Sequence, residues 1–157
     1  DGKIARRMKS RTDNQRMFGG QLDSLIDIVS FGICPAIVLL SYGDFSPWFI
    51  PGAFIIVAAG VLRLSYFNIY GLVGESSYQG LAIDNNGIFL ALLFVFHGLV
   101  STSVFNALLY LVILALAILN VAPIRTPKLG VGWYYGISAY TLALTFFYGW
   151  QLLRETV

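Results

Sequence analysis

Apolar runs close to twenty residues long dominate this chain, centred near Ile33, Val57, Leu93, Leu114 and Ala143. A helix gains about 1.5 Å per residue and the hydrocarbon core of a bilayer is about 30 Å thick, so runs of this length suffice to cross it. None of them sustains the alternation of polar and apolar residues that a transmembrane β-barrel requires. With 57% of its 157 residues hydrophobic and 11% charged, the chain falls outside the ordinary soluble class. The expected architecture is all-α, a polytopic transmembrane helical bundle forming a single domain over residues 1–157. Spans are expected at about 19–40, 48–70, 84–100, 104–121 and 133–153. The chain lacks an initiator methionine and its first residue already belongs to a motif, so it reads as part of a longer protein whose N-terminal helices are missing from it.

The distribution of charge orients the bundle. Six of the ten basic residues, Lys3, Arg6, Arg7, Lys9, Arg11 and Arg16, precede the first span, and Arg125 and Lys128 lie between the fourth and fifth. Positive loops stay on the cytoplasmic side, and an even number of crossings separates these two segments, so the assignments agree. The basic segments read as contacts with anionic membrane lipid rather than nucleic acid. Trp48, Trp133, Tyr134, Tyr135 and Trp150 fall at expected span ends, where amphipathic rings settle at the headgroup level. The single cysteine, Cys34, lies within a span; it offers no disulfide framework and is expected to pack.

Against this background the segment GGQLDSLID stands out. Gly19, Asp23 and Asp27 are spaced by four, so on a helix they form one stripe, with neighbouring side chains about 5–6 Å apart. Asp27 falls about two turns inside an apolar run, where a carboxylate at mid-helix costs about 2.5–3.5 kcal/mol. Such a cost marks a functional group, and stacked carboxylates are hard oxygen ligands suited to Mg²⁺ or Mn²⁺. A further acid, Asp1, comes with Gly2, which permits close approach of a ligand, and Arg6, whose guanidinium fork matches phosphate oxygens. Carboxylates from two helices could hold two ions about 3.5–4 Å apart over a diphosphate. The chemistry this implies is phosphoryl-group transfer at the cytoplasmic membrane surface; a transporter whose intramembrane aspartates bind cations is the competing reading.

DGKIAR followed by GGQLDSLID resembles the signature of the CDP-alcohol phosphotransferases, D-x-x-D-G-x-x-A-R, a spacer, then G-x-x-x-D-x-x-x-D. Asp1, Gly2, Ala5, Arg6, Gly19, Asp23 and Asp27 match seven of its eight fixed positions. The remaining aspartate would precede Asp1. The twelve-residue spacer between Arg6 and Gly19 is about one helical turn longer than is usual in the family. The resemblance implies a six-helix core, usually a homodimer, that displaces CMP from a CDP-linked donor. It also implies that Asp1, Asp23 and Asp27 bind the metal ions, that Asp27 is the catalytic base, and that Gly2, Ala5, Arg6 and Gly19 line the nucleotide pocket.

QLDSLIDIVSFGICPA, RLSYFN and YQGLAI are further similar to segments of the phosphatidylserine synthase branch, which transfers a phosphatidyl group from CDP-diacylglycerol to L-serine. Ala82 stands where that branch tends to have proline, and the DNN of residues 84–86 where it has small residues, so inositol phosphate, glycerol phosphate and choline stay open as acceptors. On the residues themselves, Arg63 is the candidate partner for an anionic substrate group or a residue reaching to the headgroups. Asn68, Asp84, Asn85 and Asn86 are candidates for an acceptor pocket, with Asp84 preferred as a helix cap. His97 is expected to be a packed residue, and Gly52 and Gly60 suggest close helix contacts.

Overall fold

The computed structural model describes residues 12–71, 77–127 and 131–155. Its helices are α1 (Asp13–Ile28), α2 (Cys34–Tyr42), α3 (Ile50–Tyr70), α4 (Asp84–Phe94), α5 (Thr102–Val121) and α6 (Val131–Glu155). A π-helical turn, Val29–Ile33, joins α1 to α2 without a break, and 3₁₀ turns at Pro47–Phe49 and His97–Leu99 precede α3 and follow α4. The helical bundle expected from the sequence is the architecture observed. Three helical stretches among the described residues are long and apolar enough to span a bilayer: Asp13–Tyr42, Pro47–Tyr70 and Thr102–Val121, of 30, 24 and 20 residues. Asp84–Leu99 is apolar but shorter.

α1 begins six residues before the expected span because its start is set by local bonding. The Thr12 hydroxyl accepts from the Gln15 amide at 3.3 Å, and the Gln15 side chain accepts from the Thr12 amide at 3.0 Å. This capping box satisfies donors that a helix start would otherwise leave unbonded.

The π-turn also has a local cause. Pro35 has no amide hydrogen, so it cannot bond the Phe31 carbonyl four residues earlier as a helix interior requires. The Asn86 side chain, fully buried in α4, donates to that carbonyl at 3.0 Å. Asn86 therefore joins α4 to the α1–α2 junction through its amide nitrogen. Asp84 is corrected too: it occupies the first turn of α4, where a carboxylate favours the helix dipole, while the cap position falls on Ile83.

α3 and α5 make the most extensive helix pairing, with α2 packed beside both. Leu39, Ile56, Phe105, Leu109 and Ile113 are fully buried between them. Gly52 and Gly60 allow the close approach suggested by the sequence: a Cβ at Gly52 would lie 2.9 Å from both Leu39 and Tyr110, and one at Gly60 2.7 Å from Ile83 and 2.9 Å from Ile28. α6 docks on α4 through two hydroxyls, Tyr140 donating to the Ile88 carbonyl at 2.9 Å and Tyr148 to that of Ala91 at 2.8 Å. Phe54, Leu62, Leu111, Ile118 and Phe146 point outward, as lipid-facing residues do. Cys34 lies on this exposed surface as well, so the expectation that it packs inside is not met.

Two loops read from the sequence as irregular pair with each other. Ser77–Gln79 and Arg125–Pro127 form an antiparallel two-stranded ribbon, Tyr78 opposite Thr126. Thr126 clips it by donating its hydroxyl to the Gly80 carbonyl at 2.7 Å. Three-residue strands carry too little periodicity to be read from sequence. The ribbon gathers the C-terminal ends of α3 and α5 at one end of the bundle. At the other, Tyr42, Phe94, His97 and Phe105 form an aromatic cluster, the His97 ring 4.7 Å edge-on to Phe105, while its residue remains exposed.

Candidate active site

The α1 helix carries Gly19, Asp23 and Asp27 on successive turns of one face. Ser24, beside Asp23, fixes that face against α3: Asn68 donates from Nδ2 to the Ser24 oxygen at 3.0 Å, and the Ser24 hydroxyl lies 3.2 Å from the Gly20 carbonyl. Asn68 is thereby engaged in holding the helices together. Asn68 lies near the C-terminal end of α3, the end that Arg63 ties to the Leu81 carbonyl just past the ribbon, so this contact places the aspartates at the ribbon end of the bundle.

Gly60 brings the charged groups together. Its missing side chain admits Ile28 from α1 and Ile83 from the segment before α4, the immediate neighbours of Asp27 and Asp84. Asp27, half-buried, consequently senses the charges of Asp23, Asp84 and Arg63. Asp23 and Asp84 remain exposed. Asp84 is a member of this cluster that sequence spacing could not reveal, because 57 positions separate it from Asp27.

Arg63 is 7% exposed. Its Nε donates to the Leu81 carbonyl at 3.3 Å and its guanidinium carbon lies 5.1 Å from the centre of the Phe67 ring. These contacts hold it inside the bundle, so the alternative of a side chain reaching to the headgroups is set aside. Arg63 also borders a cleft of about 230 Å³ whose wall includes Tyr66, Gln79, Asn120 and Val121. Asn120, near the end of α5, is 1% exposed, and neither atom of its amide has a hydrogen-bond partner among the described residues. A buried polar group left unpaired costs about 1–3 kcal/mol, so its presence calls for an explanation. The sequence carried one signal for it, a polar residue inside an otherwise apolar run.

Asp1, Gly2, Ala5 and Arg6 lie outside the described residues. Among the described residues, no group of three acidic, histidine or cysteine side chains is arranged to hold a metal ion. Asp23 and Asp27 are nevertheless hard carboxylate donors one turn apart, a chemistry that suits Mg²⁺ or Mn²⁺ as part of a larger ligand set.

Comparison with known proteins assigns the arrangement. The family described as CDP-alcohol phosphatidyltransferase matches residues 1–147. A CDP-diacylglycerol–serine O-phosphatidyltransferase from Methanocaldococcus jannaschii is 34% identical over 129 residues, covering 82% of this chain and 57% of the relative. An archaetidylserine synthase from Methanothermobacter thermautotrophicus is 32% identical over 136 residues, covering 84% and 54% respectively. A CDP-diacylglycerol–serine O-phosphatidyltransferase from Saccharomyces cerevisiae is 35% identical over 69 residues, 44% of this chain and 24% of the relative. The chain thus spans a little over half the length of the two archaeal relatives. With its paired aspartates on a membrane helix and a family match running from Asp1 almost to its end, this chain belongs to the CDP-alcohol phosphatidyltransferase family.

Proposed function

We propose that the protein transfers a phosphatidyl group from CDP-diacylglycerol to the hydroxyl of L-serine, yielding phosphatidylserine and CMP at the cytoplasmic face of a membrane. The observation that carries this reading is Asp27, half-buried on the α1 face beside Asp23 and within reach of the Arg63 charge. The names of the two archaeal relatives support serine as the acceptor.

In this mechanism Asp27 accepts the proton of the serine hydroxyl as its oxygen forms a bond to the lipid-bearing phosphorus. The bond from that phosphorus to the CMP oxygen breaks, and CMP departs with the electron pair. Asp1, Asp23 and Asp27 are the residues that would hold a divalent cation, Mg²⁺ or Mn²⁺, which when bound supplies positive charge to the diphosphate. Gly2, Ala5, Arg6 and Gly19 border the nucleotide. Arg63, fixed by Leu81 and Phe67, offers a preorganised cation close to the reacting carboxylate.

The test is CMP release by the full-length protein in membranes supplied with CDP-diacylglycerol, a divalent salt and L-serine. Asp27→Asn is expected to lower kcat by about 10²–10⁴-fold, the usual contribution of a general base. Chelation is expected to abolish turnover in the parent protein. Release of CMP with inositol phosphate, glycerol phosphate or choline, but not with L-serine, would reassign the acceptor; metal-dependent ion flux without CMP release would reject the enzyme.

A further inference from the structure

Apart from Arg63 itself, the wall of the cleft beside Arg63 takes no part in the reaction scheme above. We propose that it receives the amino-acid end of the acceptor, with Asn120 as a specificity-determining residue; the inference rests on the proposed transfer to serine and names the subsite for it. The Asn120 amide carries one group that donates and one that accepts, both unpartnered among the described residues and both in a residue that is only 1% exposed. A zwitterionic amino acid presents the complementary pair, a carboxylate that accepts and an ammonium that donates. Among the described residues lining the cleft, Arg63 is the cationic one, and it supplies charge for a single carboxylate.

Size admits this class of ligand. A cleft of about 230 Å³ is large enough for a molecule the size of serine. Gln79 on the ribbon adds a second amide to the wall, and Arg63 links the cleft to the carboxylates by bordering the first and acting on Asp27 in the second.

The backbone supports the subsite. Gly80, next to Gln79, adopts φ +74°, and a Cβ there would collide with the Asn120 carbonyl. The Leu81 amide, adjacent to the carbonyl that holds Arg63, donates to the Leu119 carbonyl at 2.9 Å. One short turn thus presses Gln79, Arg63 and Asn120 around the same space.

The experiment is steady-state CMP release by the full-length protein in membranes, varying L-serine and CDP-diacylglycerol separately. Asn120→Asp keeps the shape of the side chain but replaces the donor by a negative charge, and Asn120→Leu removes both polar atoms. Each variant is expected to raise KM for L-serine about ten- to hundredfold while KM for CDP-diacylglycerol stays within about twofold, which also shows that the variant is folded. In the parent protein, 3-hydroxypropionate and ethanolamine, which lack the ammonium and the carboxylate respectively, are expected to be poor acceptors, and Asn120→Leu should narrow the margin between L-serine and 3-hydroxypropionate. An unchanged KM for L-serine in both variants overturns the subsite while leaving serine transfer by the parent protein intact. A raised KM for CDP-diacylglycerol instead overturns it by putting the donor lipid in the cleft. Absence of serine-dependent CMP release from the parent protein rejects the transfer reading itself, and the subsite with it.

Discussion

Two asparagines in this bundle, both buried to within 1% of completely, illustrate opposite uses of the same side chain. Asn86 spends its amide hydrogen on a structural debt created by Pro35, donating to the Phe31 carbonyl. Asn120 has no such partner among the described residues and borders a cleft with a cation in its wall. The difference is a prediction. Asn86→Leu fills similar space but removes the donor, and should destabilise the protein by about 1–3 kcal/mol, measured by thermal unfolding in detergent. Unchanged stability would mean that the carbonyl finds another donor at no cost. Neither role could be read from sequence, because each depends on what lies across the helix interface: Phe31 is 55 residues from Asn86, and Gln79 is 41 from Asn120.

Among the elements, α1 and its continuation into α2 carry most of the functional consequence. Four-residue spacing alone puts Gly19, Asp23 and Asp27 on one face, so that much of the site was legible before any packing was known. What the spacing leaves open is the partner surface, and Gly60 on α3 decides it by admitting Ile28 and Ile83 together. Gly60→Val should therefore act at two levels. Overpacking is expected to cost about 1–3 kcal/mol, read as a lower unfolding temperature, and displacement of the neighbours of Asp27 and Asp84 should lower kcat for CMP release as well. Gly60→Ala should be milder on both counts, since the atoms it meets are the mobile ends of two isoleucines. If Gly60→Val matches the parent protein in stability and rate, the glycine contact does not position the carboxylates.

For the whole molecule, the ribbon between Ser77–Gln79 and Arg125–Pro127 fixes which loops share an end, and the positive-inside pattern makes the cytoplasm the expected side of that end. In a protein whose Cys34 is first replaced by alanine, a cysteine at Arg125 should react with an impermeant maleimide only from the cytoplasmic side. One at Ser103, at the opposite end of α5, should react only from the other; the reverse pattern would invert the bundle. Apolar length, charge asymmetry and the spacing of three residues were enough to determine a helical membrane bundle, its expected sidedness and the stripe of carboxylates, because each depends on periodicity or composition along one segment. The membership of Asp84 in the charged cluster, the burial of Arg63 and the cleft it shares with Asn120 were decided only by the tertiary structure. They arise where glycine gaps and a proline-induced turn let separate helices meet, and the sequence records those meetings at neither partner.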